Sequence, residues 1–396
     1  MKRRILALLL VFAMFAALMT GCASGKQETA APETAQTESP AAEETTAEPE
    51  QTEEVPAEEE APAEPETVSF TDSLGRTVEL PADITRIAPS GAVATMILAA
   101  IAPECMVTIN AAPSESQMAF LPANLAALPE TGQMYGSKAD LNLETLLAAD
   151  PQVVIDLGDK KGDMTEDLDA LQEQIGIPVV FIEADLAHMA AAFRTLGGLL
   201  SGKSDRGEEL AALVDRTTAI AEENAAKITD DMRVRAMYTT GEDGLGTNAA
   251  GSMQAQVLDM VGVENAVVVE DVSNKGGGNI ISLEQLYNFD PDVILFADGS
   301  IYDTVADDSA WSQLTAISTG RYYEVPGSPY SWLSGPPSMN MILGVWWLGN
   351  LIYPEIYDYD METMTQELYK TLWGYELSSE EVTALLGNST LKAAAQ

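Results

Sequence analysis

The 396-residue chain is short of the side chains that chemical sites most often draw on. It holds one histidine, two cysteines, and 20 basic against 62 acidic side chains. One imidazole and two thiols exclude a zinc finger, a His-rich metal site and a disulfide framework. A formal net charge of −42 argues against a nucleic-acid partner, because phosphate binding needs clustered Lys and Arg. Enzyme signatures are missing as well. There is no G-x-S-x-G elbow and no Walker A sequence, Gly244, Gly246 and Gly251 do not fit G-x-G-x-x-G, and no Ser, His, Asp order is plausible around His188. Paired carboxylates are plentiful, but in so acidic a chain they carry little information. The chain is read as a non-enzyme with no cofactor and no bound metal. A membrane-tethered hydrolase or an adhesion module is the alternative of a different class.

What is present is unevenly spread. Residues 1–26 carry four basic groups and no acid, 27–67 carry 14 Glu and no base, and 68–396 carry 48 acids and 16 bases. Lys2-Arg3-Arg4 precedes an apolar run from Ile5 to Met19, followed by Thr20-Gly21-Cys22. A positive head, an apolar stretch too short to span comfortably and small residues at its end read as an export signal over 1–21. Residues 23–67 are almost exclusively Ala, Glu, Thr and Pro. Such a segment cannot offset its ordering entropy, so 22–67 is expected to be a disordered acidic linker. Cys105 is the only thiol of the body and is expected to be buried and inert.

The body is long enough, and at 46% hydrophobic residues over the chain apolar enough, for two packed lobes. Residues 68–71 and 76–80 flank Asp72-Ser73-Leu74-Gly75 and read as a β-hairpin. Residues 86–88 read as a strand, and Ser90 as the cap of a helix over 92–101. Short apolar runs at 153–157 and 179–182 read as buried strands separated by a helix over 165–175. Strand alternating with helix implies a mostly parallel α/β sheet.

One unit recurs. Residues 143–153 and 283–293 both read L-E-x-L-x-x-x-D-P-x-V. Each is a short helix capped by Asn142 or Ser282, stopped by Pro, then a strand. Between the copies, Leu210, Leu213, Val214 and Ile220 recur at helical spacing within 205–228. That pattern predicts one rigid helix joining two related lobes.

These features, with the sequence from Phe70 to Pro81, resemble the substrate-binding proteins of iron-siderophore, heme and cobalamin ABC importers. Trp311-Ser312-Gln313-Leu314-Thr315-Ala316-Ile317 is similar too, as is Pro336-Pro337-Ser338-Met339-Asn340 running to Trp347-Leu348 and Tyr353-Pro354-Glu355. The likeness covers about 68–385. The leader resembles a bacterial lipoprotein signal, cleaved before Cys22 with diacylglycerol on its sulfur; Met19 stands where such signals usually carry Leu. The resemblance implies a lipid-anchored monomer on the outer face of the cell membrane. It further implies two Rossmann-like lobes, 68–203 and 229–396, joined by a single long α-helix at 204–228 with the ligand in the cleft between them. Partners would be an ABC permease and its ATPase. Family acids that meet the permease map onto Glu144 and Glu284, each in the first turn of its helix, where the dipole favours a carboxylate.

Ligand contacts are expected in loops at the strand ends. Ser90 and Gly91 start a helix whose N–H groups can face an anion. Tyr135 and Lys138 precede the first repeat, Tyr238 and Asn248 sit at and beyond a strand over 233–238, and Lys275 precedes the second repeat. Trp332 lies where the family often places an aromatic contact. Trp346 and Trp347 belong to core. His188 reads as structural, and the missing histidine in the second lobe lowers heme. A ferric siderophore or similar metal chelate is the first expectation. Cobalamin or another corrinoid follows, then heme or an oxyanion such as molybdate.

Overall fold

The computed structural model describes residues 66–391 apart from 137, 138, 163 and 275. The expected export signal, Cys22 and nearly all of the acidic linker lie outside the described residues, as do Lys138 and Lys275. No helix among the described residues is long and apolar enough to cross a membrane.

The first lobe opens with the expected hairpin, β1 (Thr67–Thr71) against β2 (Thr77–Pro81). Asp72 organises its turn by accepting the N–H groups of Leu74 and Arg76, and pairs with the Arg76 guanidinium at 2.9 Å. Then follow β3 (Ile87–Pro89), α1 (Ala92–Ile101), α2 (Glu115–Met118), α3 (Leu143–Ala148), β4 (Val153–Gly158), α4 (Met164–Ile175), β5 (Val179–Glu183) and α5 (Met189–Leu199). Strands β3, β4 and β5 form a parallel sheet in that order. A 22-residue helix, α6 (Ser204–Ala225), leads to the second lobe. Its buried positions Gly207, Leu210, Val214, Thr217 and Ala221 recur every three or four residues. Gly207 lets α6 approach α5 closely: a Cβ there would lie 2.6 Å from the Phe193 carbonyl oxygen and 2.8 Å from Gly197 Cα.

The second lobe contains β6 (Arg235–Thr240), β7 (Gly246–Thr247), α7 (Gln256–Met260), β8 (Glu264–Asn265), β9 (Asn279–Ile280), α8 (Leu283–Phe289), β10 (Val293–Phe296), α9 (Thr315–Ser318) and β11 (Tyr322–Glu324). Its sheet runs β11-β10-β6-β7-β9, with β8 paired to β6. Strands β11, β10, β6 and β8 are parallel, while β7 and β9 pair antiparallel. Three helices close the chain: α10 (Met341–Ile352), α11 (Met361–Trp373) and α12 (Ser379–Leu385).

Both sheets are buried on both faces, and the two-residue side-chain period assigns each strand residue to one face. In β4, Val153, Ile155 and Leu157 enter a large core shared with the C-terminal helices, while Val154 enters a smaller outer core. In β10, Val293 and Leu295 enter the shared core, and Ile294 and Phe296 an outer one. The repeat extends further than its sequence signature. Asp150 and Asp290 both adopt a left-handed conformation, at φ 50° and 30°. Arg86, just before β3, donates to the Asp150 carbonyl at the end of α3. Arg235, opening β6, donates to the Phe289 carbonyl at the end of α8. Each cation therefore sits at the negative end of the same helix of the repeat.

Trp346 and Trp347 of α10 are core residues. Their indole N–H groups reach Thr217 Oγ1 in α6 at 2.9 Å and the Ser389 carbonyl at 2.7 Å. Cys105 ends a short 3₁₀ turn. It is buried, and that burial together with the Glu104 charge pushes its thiol pKa up.

Candidate functional site

A cleft of about 880 Å³ is lined from both lobes. The first lobe supplies residues 90–94, the loop carrying Gln133 and Tyr135, and the end of β4 with Asp156, Asp159 and Lys161. The second supplies Met253, Gln254, Asn274, Gly276 and the turn at 335–337.

The sequence builds the first wall simply. β3 stops at Pro89, and Ser90-Gly91 carry the chain into α1. Gly91 packs closely on the neighbouring loop, where a Cβ would come within 3.2 Å of Gln133 Cβ. No side chain caps α1 and no acid lies in its first turn. Its first N–H groups, which have no partner within the helix, are thus placed at the cleft wall with the positive end of the dipole.

Asp156 is the unusual group of this wall. It is 5% exposed, accepts a hydrogen bond from Ser90 Oγ through Oδ1, and leaves Oδ2 without a partner. Burial raises its pKa, while the Ser90 hydrogen bond and the Lys161 charge work in the opposite direction. Lys161 lies with Nζ 5.3 Å from the centre of the Tyr135 ring and 3.8 Å from Asp159 Oδ1. Burial, aided by the charges of Asp156 and Asp167, keeps the Tyr135 phenol protonated well beyond its ordinary range. Across the cleft, Gln254 donates through Nε2 to the Asn274 carbonyl at 3.1 Å, and its Oε1 is buried without a partner. The wall thus combines helix N–H donors, a lysine and two polar acceptors without partners, a set suited to noncovalent capture of a polar ligand.

Of the residues singled out in the sequence, Ser90, Gly91 and Tyr135 are brought together at the cleft. Lys138 and Lys275 lie outside the described residues, although Gly136 and Asn274 beside them are on the wall. Three others lie away from the cleft wall. Tyr238 is buried, its hydroxyl 3.4 Å from Ser331 Oγ. Asn248 is buried and donates to Ser334 Oγ at 3.3 Å. Both contact the 331–334 turn, and neither lines the cleft. Trp332 has no exposed surface, donates its indole N–H to the Ser328 carbonyl and packs against Tyr369, so it belongs to the shared core. Asp156, Gln254 and Gln133 went unrecognised. For Asp156 a signal existed: an acid inside the apolar run Val153-Val154-Ile155-Asp156-Leu157 is costly unless it has a task.

Glu144 and Glu284 are both exposed in the first turns of α3 and α8. Asn142 caps the first helix by accepting the Thr145 N–H, and Ser282 forms a reciprocal box with Gln285 at the second.

A family model described as periplasmic binding protein matches residues 98–329. Among solved structures, an ABC transporter solute binding protein from Sulfurospirillum deleyianum is 28% identical, with 81% of this chain and 99% of that one covered at a TM-score of 0.74. A periplasmic solute binding protein from Veillonella parvula is 24% identical, covering 82% and 98% at a TM-score of 0.68. The molybdate periplasmic binding protein MolA of Haemophilus influenzae is 20% identical, covering 78% and 99% at 0.63. No curated protein matches the chain.

Proposed function

The chain belongs to the periplasmic binding protein family, and from that premise we propose that it captures a ferric siderophore or a similar metal chelate and delivers it to an ABC permease. The observation that carries this reading is the cleft of about 880 Å³, lined from both lobes and faced by the uncapped N-terminus of α1. Its size favours a chelate: small-molecule sites run to ~300–1,000 Å³, and a tetrahedral oxyanion would fill only a small part. Helix N–H groups and Lys161 suit the negative oxygens of an anionic complex. Cobalamin or another corrinoid is the second reading, because Asp156 Oδ2 and Gln254 Oε1 are acceptors without partners and carboxamide N–H groups would satisfy them. In this reading Cys22 carries the lipid that tethers a monomer to the outer face of the membrane. Glu144 and Glu284 meet basic residues of the permease, whose ATPase drives uptake.

Titration calorimetry against ferric catecholate, ferric hydroxamate, cobalamin, heme and molybdate tests the ligand class. The expected result is one saturable site per chain, for a chelate, with the ligand recovered unchanged. Chemical turnover of a ligand, or binding confined to molybdate, would overturn it.

A further inference from the structure

Outside the cleft wall, the geometry points to a divalent transition-metal site formed by Glu183, Asp185 and His188. Each offers one ligand atom, and the three atoms lie within 4.8 Å of one another. Zinc bonds of ~2.0–2.2 Å require ligand atoms about 3.4 Å apart in a tetrahedral shell, a gap that small rotations of surface side chains close. His188 Nδ1 already lies 2.7 Å from Asp185 Oδ1.

The main chain holds these residues in place. Glu183 ends β5 opposite Gly158 of β4, and its N–H donates to Ser73 Oγ at 3.0 Å. The next residue, Ala184, donates to the Gly158 carbonyl at 2.8 Å. His188 is the N-terminal flank of α5, and its N–H donates to Asp185 Oδ1 at 2.9 Å. Three ligands within six residues therefore lie on the last residue of a strand, the bend that follows it and the residue that flanks the next helix.

The cluster already attracts a cation. Lys160 Nζ lies 3.0 Å from Glu183 Oε2, so a metal ion would replace an ammonium instead of entering an uncharged space. One imidazole with two carboxylates suits a borderline ion such as Zn²⁺; Ca²⁺ and Mg²⁺ prefer oxygen alone. The His188 side chain is 52% exposed, which leaves access from solvent and room for water in the remaining coordination positions. Lys160 lies between Asp159 and Lys161 of the cleft wall, so an ion on Glu183 frees that lysine at the rim of the cleft. The site stands independently of which ligand the cleft takes.

Zn²⁺ is titrated into the full-length chain, with heat and the ring resonances of isotope-labelled histidine as separate readouts. Because His188 is the chain's only histidine, those resonances need no assignment. The expected result is a one-to-one component that shifts the His188 ring signals. That component is lost in His188→Ala, weakened at least about tenfold in Asp185→Asn, and tightened in Lys160→Ala, which removes the competing ammonium. Weak binding by the many other carboxylates survives in His188→Ala and serves as the baseline. Identical Zn²⁺ isotherms for the parent and His188→Ala, or ring signals unmoved at saturating Zn²⁺, would overturn the site.

Discussion

Arg206, in the first turn of α6, fastens three parts of the molecule together. Its Nε and Nη2 donate to the Ala100 carbonyl at the end of α1, at 3.0 and 2.9 Å. Nη2 also reaches the Thr371 and Leu372 carbonyls at the end of α11, at 2.6 and 3.3 Å. One planar guanidinium thereby satisfies two helix C-termini, where a cation is favoured by the dipole, and ties both to the helix between the lobes. Its remaining contact, with Glu209, faces solvent and is worth only a few tenths of a kcal/mol, on the order of 0.3–0.5. Hydrogen bonds from a charged donor contribute roughly 1.5–3 kcal/mol each. Arg206 is 25% exposed on its side chain, so the low end applies to each helix end. Arg206→Met, which keeps the apolar stem, should then cost about 3 kcal/mol, a loss of roughly 150-fold in the folding equilibrium. Arg206→Lys keeps the charge without the fork and should recover about half. Urea unfolding followed by circular dichroism reads the change as a lower midpoint. An Arg206→Met midpoint equal to the parent's would refute the idea that this side chain holds the two helix ends to α6.

The buried position of Trp332 predicts that Trp332→Ala costs about 3–5 kcal/mol of stability. Trp332→Phe should leave ligand affinity unchanged, and a hundredfold affinity loss in the folded Phe variant would restore the tryptophan to the site. Asp156 has its pKa raised by burial, so the native state holds its proton to higher pH than the unfolded chain does. Stability contributed at this site therefore falls as pH rises from about 4, the unfolded value, through the native pKa. Asp156→Asn should gain stability relative to the parent between pH 4 and pH 7 in thermal melts, and a difference that does not vary with pH would contradict this. Replacing both Glu144 and Glu284 by Arg should abolish ligand uptake into permease-containing vesicles while leaving ligand binding intact; uptake at the parental rate would exclude those acids from docking.

Much of the architecture was legible because local chemistry and tertiary role coincide there. Asn142 and Ser282 cap the helices that their positions predict, and α1 occupies the span expected from its apolar run. The strand pattern foretold a mostly parallel α/β sheet, and the repeat two related lobes. What escaped notice is nonlocal. The two-residue strands β7, β8 and β9 are too short to show a period and exist only through their pairing. The return of α10 and α11 onto α6 and α1 rests on contacts such as Trp346 with Thr217 and Arg206 with Thr371, between positions 129 and 165 residues apart. The same blindness explains Trp332: an aromatic in a Pro- and Ser-rich turn resembles a ligand contact until the turn is seen folded inward against Tyr369. Ser90, Gly91 and Tyr135 could be found because strand ends in α/β folds face the crevice. Gln254 could not, since nothing in its neighbourhood marks it as polar and buried.

The proposed function requires that the ligand be held in the cleft between the lobes. Ala92 lines that cleft at the start of α1, and Ala92→Trp would fill it with an indole without touching the cores. Calorimetry on this variant, with the chelate that the parent binds, is the most direct measurement. At least a hundredfold loss of affinity with an unchanged melting temperature is expected, and parental affinity in the folded variant would place the ligand elsewhere.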